Sequence, residues 1–213
     1  AMAQPLVGHL DPVFLEILDG VQESLRGLFK TTNPMTLPIS GTGSAGMEAC
    51  FVNLVEEGDE VVVGVNGVFG TRMAEVAERL GARVTKIEAE WGRVIETEKV
   101  VEALSACRRP VLLALVHAET STGAWQPLEG LARLAHDAGA LFMVDAVTSL
   151  GGCPVEVDGW GIDACYSGTQ KCLSCPPGLS PVTFSPRAME KVAGRRSKPR
   201  SWYLDLGLIG GYF

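Results

Sequence analysis

The sequence predicts an α/β fold, a mostly parallel central sheet with helices on both faces. Short β-branched and aliphatic runs alternate along the chain with segments whose apolar residues recur at helical spacing. The runs are near-continuously apolar, "EVVVGV" and "RPVLLALVHA" among them, as strands covered on both faces must be. Polar residues gather where the runs end, at Asn66, Glu119–Thr122, Asp145 and Ser167–Lys171. Sheets of this kind bind ligands beyond the carboxyl ends of their strands.

Taken in order, residues 1–30 are expected to form an N-terminal helical segment. "MTLPIS" makes a poor strand, being short and broken by Pro38. "SAGMEACFVNLVEE" (44–57) reads as a helix with Ser44 as N-cap and Gly58-Asp59 as the stop. "EVVVGV" (60–65) is a strand, "FGTRMAEVAERLG" a helix and "ARVTKIE" the next strand. "TEKVVEALSAC" is a helix with Glu98 and Glu102 facing solvent. The strand "RPVLLALVHA", the helix "LEGLARLAHDAG" and the strand "ALFMVDAV" follow. Then come "IDACYSGTQK", "LSPVTFS" and the helical "PRAMEKVAG". The closing stretch from Gly194, basic and then rich in aromatics and glycine, reads as a loop leaving the domain.

With 213 residues, 46% hydrophobic and 20% charged, the chain can bury one substantial core. A net charge of −7 argues against nucleic acid or an anionic membrane as partner. No run reaches the roughly 18 apolar residues that cross a bilayer. No basic segment followed by an apolar core marks a signal peptide, although the chain opens at Ala1 rather than Met. Six cysteines are scattered, several in apolar contexts, which suits reduced thiols and a cytoplasmic enzyme. "CLSC" at Cys172–Cys175 lacks two further zinc ligands nearby, so no metal site is expected.

"ISGTGSAGMEA" holds a G-x-G-x-x-G at Gly41, Gly43 and Gly46. A dinucleotide site needs an acid at the end of the next strand, and that strand ends "VVVGVNG" without one. The loop reads better as a phosphate cup of backbone N–H groups and hydroxyls at a helix start, or else as a structural turn. Asp145 ends an otherwise apolar strand, where a lone acid is costly unless a cation or proton faces it. Lys171 lies in a turn of small residues 26 positions later. It is a candidate Schiff-base amine, with a structural Lys–Asp ion pair as the alternative. Amine, acid, phosphate cup and the aromatic Phe69 together match the needs of pyridoxal phosphate. His117, beside the "ETSTG" turn, is expected to be structural, and His136 to face solvent.

The chain resembles the class V, fold type I pyridoxal-phosphate aminotransferases, most closely the alanine–glyoxylate and serine–glyoxylate (serine–pyruvate) group. The resemblance rests on "NPMTLPISGTGSAGMEA", "GVNGVFGTRM", "VHAETSTGAWQPL", "VDAVTSLGG", "YSGTQKCLSCPPG" and "SWYLDL", in that order. It implies pyridoxal 5'-phosphate as cofactor, with Lys171 bonded to its aldehyde and moving the substrate's α-proton. Asp145 would keep the ring nitrogen protonated, Phe69 stack on the ring and Val147 pack on its opposite face. Thr42, Gly43, Ser44 and Gln170 would hold the phosphate, and Thr120 would approach the ring hydroxyl. It further implies a homodimer that moves the amino group of serine or alanine to glyoxylate or a similar 2-oxo acid. Residues 31–200 would be the cofactor-binding large domain, and 201–213 the connection to a small C-terminal domain absent from this chain. That domain would carry the arginine for the substrate carboxylate. Alternatives on the same scaffold are a cysteine desulfurase, with Cys172 as its only hint, another lyase, or a non-catalytic module. A NAD-dependent oxidoreductase is the alternative from another class.

Overall fold

A computed structural model of the protein describes residues 5–211; the parts of the predicted terminal segments at 1–4 and 212–213 lie outside the described residues. The chain runs through α1 (Pro12–Phe29), β1 (Met35–Ser40), α2 (Gly43–Leu54), β2 (Glu60–Val65), α3 (Val68–Arg79) and β3 (Arg83–Glu88). It continues with α4 (Thr97–Ala106), β4 (Pro110–Val116), β5 (Ala118–Glu119), β6 (Ala124–Trp125), α5 (Leu131–Asp137) and β7 (Leu141–Asp145). The last elements are α6 (Val157–Trp160), β8 (Ala164–Tyr166), β9 (Leu179–Phe184), α7 (Pro186–Ala193) and α8 (Leu206–Gly210).

Seven strands form one sheet in the order β1-β9-β8-β7-β4-β2-β3. The pairs from β8 through β7, β4 and β2 to β3 are parallel, while β9 is antiparallel to both β8 and β1. From β2 the chain steps outward to β3, then crosses back over β2 to β4, so the connections diverge between β2 and β4. That is a topological switch point, and a crevice opens there at the strands' carboxyl ends.

Side-chain alternation sends each strand's residues into two cores. Val61, Val63, Leu112, Ala114 and Met143 face α2 and α3, with Phe51 and Met73. Val62, Leu113, Leu115, Phe142 and Val144 face α4 and α5, with Val100 and Leu131. Both faces are dry, which explains why the central strands read as unbroken apolar runs.

Local signals set the helix ends. Asp11 accepts from the Val13 N–H at 2.9 Å with Pro12 at the first helical position of α1. Ser185 accepts from the Ala188 N–H ahead of Pro186 in the same way. Four expectations need correction. "MTLPIS" is a full strand, because β1 lies at the sheet edge, where a proline is tolerated. Thr42 rather than Ser44 is the N-cap of α2, without a side-chain cap bond, and the helix ends at Leu54. Gly130, at φ 82°, delays α5 to Leu131. The closing stretch does not leave the domain within the described residues. Asn53, buried in α2, donates to the Leu204 carbonyl (2.7 Å) and accepts from the Leu206 N–H (3.0 Å), and α8 follows.

Each glycine of the "GTGSAG" loop has its own reason. Gly41 sits at φ 134°, a backbone region that L side chains rarely adopt. A Cβ on Gly43 would lie 2.8 Å from a Val147 methyl, and one on Gly46 2.1 Å from Ser180 Oγ and 3.0 Å from Tyr166 Cβ. Gly46 therefore lets α2 lie flat on β8 and β9. Gly46→Ala should cost about 1–3 kcal/mol, the usual range for overpacking. Urea unfolding checks this: a change under half a kcal/mol would mean that α2 is not tightly seated.

Candidate active site

A cavity of about 200 Å³ opens at the carboxyl ends of the parallel strands. Three groups of residues meet there from distant parts of the chain. The start of α2 contributes Thr42, Gly43, Ser44 and Met47; the start of α3 contributes Phe69 and Arg72; the ends of β7 and β8 and the turn beyond contribute Asp145, Val147, Tyr166, Gln170 and Lys171.

Asp145 is the last residue of β7 and only 3% exposed. Its Oδ1 accepts from the Val147 N–H (2.8 Å) and its Oδ2 from the Tyr166 hydroxyl (2.6 Å). Tyr166 stands opposite Asp145 in the β7–β8 register, so the sheet itself pairs them. Burial pushes the carboxyl's pKa up to about 6; the two hydrogen bonds and the charge of Lys171 oppose the rise, and Glu119 adds to it. Burial and Asp145 in turn push the Tyr166 hydroxyl well above its usual range, keeping it a donor. No cation forms an ion pair with Asp145 among the described residues. A buried acid without a direct ion pair is a cost that a cationic ligand would offset.

Lys171 lies half-buried in the turn after β8, and its Nζ has no hydrogen bond or ion pair among the described residues. The Lys–Asp ion pair weighed from sequence is therefore not formed. Opposite, α2 presents its first turn, where the Gly43 and Ser44 amides have no partner within the helix, while the Ala45 N–H bonds the Thr42 carbonyl at 2.7 Å. Gly168 passes close by: a Cβ there would lie 3.5 Å from the Gly43 backbone and 2.9 Å from Gln170 Oε1. That approach joins the lysine's turn to the helix start.

Eight of the nine residues singled out from sequence line this cavity: Thr42, Gly43, Ser44, Phe69, Asp145, Val147, Gln170 and Lys171. Thr120 does not line it; its hydroxyl bonds that of Thr148. Sequence reasoning missed Tyr166, Met47 and Arg72. For Tyr166 a signal existed, since a tyrosine in a buried strand needs a partner for its hydroxyl. Arg72 holds its guanidinium 4.9 Å from the Phe69 ring centroid.

His117 is structural. The Trp125 indole N–H, a donor only, bonds Nε2 at 2.9 Å, so Nδ1 carries the proton and faces Ser149 Oγ at 2.9 Å. Burial lowers its pKa to about 4. His136 is not free in solvent: it bonds the buried Asp163 at 2.7 Å, across from α5 to the start of β8. Cys172 donates to the Thr148 carbonyl (3.1 Å) outside the cavity lining, and all six cysteines are unpaired. Among the described residues no cluster is suited to a metal, and no helix is long and apolar enough to cross a membrane.

The arrangement fits a planar ligand with an anionic group for the α2 terminus, a carbonyl carbon for the lysine and a basic nitrogen for the acid. The fold is that of the fold type I transferases. The family model for aminotransferase class-V matches residues 5–198. The rat alanine–glyoxylate aminotransferase is 44% identical over 94% of this chain and 48% of its own length. The (S)-ureidoglycine–glyoxylate transaminase of Bacillus subtilis is 43% identical over 93% of this chain and 48% of its own. The crystal structure of the alanine–glyoxylate aminotransferase from Nostoc sp. superposes with a TM-score of 0.97 at 52% identity, covering 99% of this chain and 56% of that one. The chain belongs to the class-V aminotransferases. It spans about half the length of the curated relatives it matches.

Proposed function

We propose that the cavity binds pyridoxal 5'-phosphate and that the protein is a transaminase. It moves the amino group of a small amino acid, serine or alanine, to glyoxylate or a similar 2-oxo acid. One observation carries the reading: an amine and a buried acid that form no ion pair among the described residues line a single cavity with a glycine-bearing helix start. The glyoxylate-directed names of the relatives support the acceptor.

When bound, the cofactor supplies an aldehyde for the amino group and a ring that takes up negative charge from the substrate's α-carbon. The first turn of α2, with Thr42, Gly43 and Ser44, binds the phosphate through N–H groups, hydroxyls and the helix dipole, and Gln170 closes over it. Lys171 would supply the amine for the cofactor's aldehyde, and its Nζ, as a free base, would take the proton from the substrate's Cα. The Asp145 carboxylate, held in place by Tyr166 and the Val147 N–H, would keep a proton on the ring nitrogen. Phe69 would cover one face of the ring and Val147 the other, excluding water. Thr120, whose hydroxyl also bonds that of Thr148, would approach the ring hydroxyl.

The same reading assigns residues 1–30 to an interface, 31–200 to the cofactor domain and 201–213 to the connection with a further domain that carries the carboxylate-binding arginine. A homodimer is part of it, supported by Ile17 and Val21 exposed on α1 beside the apolar edge of β1. A cytoplasmic location suits the six unpaired thiols. A desulfurase reading finds little support, because Cys172 is engaged with Thr148 away from the cavity lining.

Adding pyridoxal phosphate to the purified chain should raise a visible absorption band, and borohydride should fix the cofactor to the peptide bearing Lys171. An alanine or serine donor should bleach the band and glyoxylate restore it. A chain that stays colourless, or one labelled only at other lysines, would sink the assignment.

A further inference from the structure

The carboxylate of Glu119 lies just outside the cavity lining and has no part in the scheme above. It is 1% exposed and ends the two-residue strand β5, beyond the carboxyl end of β4. Its Oε2 accepts from the N–H groups of Phe69 (3.0 Å) and Gly70 (3.3 Å), in the first turn of α3. Its Oε1 accepts from the N–H and the hydroxyl of Ser121, at 3.1 and 2.7 Å. Ser121 Oγ in turn accepts from the Val68 N–H at 3.0 Å. Three consecutive amides at the start of α3 are thus satisfied by side chains some fifty residues away in sequence.

This cap has an unusual origin. The N-cap position of α3 is Gly67, which has no side chain to offer. A Cβ there would lie 2.4 Å from Glu119 Cγ and 2.6 Å from Ser121 Oγ, so the remote groups occupy the space a local cap would need. A local serine cap would accept from only one of these amides, though without burying a carboxylate. No cation forms an ion pair with Glu119 among the described residues, so only the helix dipole and neutral donors support it. A local cap, however, would not bind the helix start to any other element. The remote one ties the helix start to the loop after β4, and the His117 N–H ties that loop to the Asp145 carbonyl at 2.9 Å. Phe69 is therefore held in register with Asp145.

We propose that Glu119 is a positioning residue, which acts through the first turn of α3 to hold the Phe69 ring at its stacking distance over the cofactor. This rests on the pyridoxal-phosphate reading above. Helix capping alone would support stability; the added claim is that ring placement, and with it cofactor affinity, depends on this carboxylate.

Glu119→Gln is the test, since an amide can accept from only part of this donor set and would turn its own NH2 toward the rest. Pyridoxal phosphate is titrated into the wild type, Glu119→Gln, Phe69→Leu and the double variant. We expect Glu119→Gln to weaken binding about tenfold where Phe69 is present and less than twofold where it is leucine, because the two act through one ring. The induced visible circular dichroism of bound cofactor should fall as well. Hydrogen exchange at Phe69 and Gly70 should quicken in the cofactor-free variant while the start of α4 stays unchanged. Equal weakening in both backgrounds, or no weakening, overturns the proposal while leaving the parent reading intact. A wild type that takes up no pyridoxal phosphate overturns both. Should Glu119→Gln not fold, Glu119→Asp keeps the charge but withdraws it by one methylene, and the same coupling to Phe69 decides.

Discussion

Replacing Lys171 with alanine should remove all borohydride-fixed cofactor and at least about 10²–10⁴-fold of transaminase activity, the range for losing a positioned proton carrier. The fold should scarcely notice. The lysine is half-buried, and its Nζ makes no hydrogen bond or ion pair among the described residues that truncation could break. Stability in urea should therefore change by less than about 1 kcal/mol, as for substitutions that remove no buried contact. The small loss of attraction to Asp145 is the only electrostatic consequence, and it raises that carboxyl's pKa further. Because truncation leaves space beside the cavity, added methylamine should restore part of the activity while leaving the peptide unlabelled. Two outcomes would count against the assignment: persistent labelling at another lysine, or a variant that unfolds. The second would return Lys171 to a structural role.

Asp145→Asn should separate chemistry from stability in a second way. Without a protonated ring nitrogen the cofactor is a poor electron sink, so activity should drop at least a hundredfold while colour persists. The cofactor-free protein carries the sharper expectation. Asp145 binds its proton with a pKa of about 6 when folded against 3.8 ordinarily, so the native state holds more proton than the unfolded one between about pH 4 and 6. Its contribution falls across that window as pH rises, by up to about 3 kcal/mol. His117 does the reverse. Its folded pKa of about 4, against 6.5, makes the unfolded state the better proton binder, so its contribution rises from pH 4 to 6.5. The two slopes oppose each other in the wild type. Asparagine at 145 accepts from Val147 through its carbonyl, reverses the bond to Tyr166, whose proton loses this acceptor, and abolishes the titration. Whatever the constant offset this brings, the variant's stability should climb with pH from 4 to 6.5 and should rise relative to the wild type. Urea titrations at pH 4, 5 and 6.5 measure this; parallel curves would mean that Asp145 is not held protonated by burial.

Most of the sheet was legible along the chain, because strands covered on both faces must be apolar and the helices between them carry their own stop signals. β2 was expected and found at 60–65. The misread elements depended on neighbours: β1 on its place at the sheet edge, α8 on Asn53 reaching from α2. At the site, Lys171, Asp145 and the glycine loop stood out because a polar group at the end of an apolar strand needs a reason. Tyr166 did not, and Glu119 did so only as a strand-end polar residue without a role, since their partners are set by strand register and by a helix start far away.

The sequence by itself determined the layered architecture, the family and the chemical types at the cavity, since periodicity, glycine spacing and lone polar residues are local properties of a chain. Only the tertiary structure decided which of those groups share one cavity, that Lys171 and Asp145 stay unpaired across it, and that a carboxylate fifty residues away holds Phe69. Contacts between distant segments follow from how the strands are ordered and twisted in the sheet, and no window of neighbouring residues contains that order.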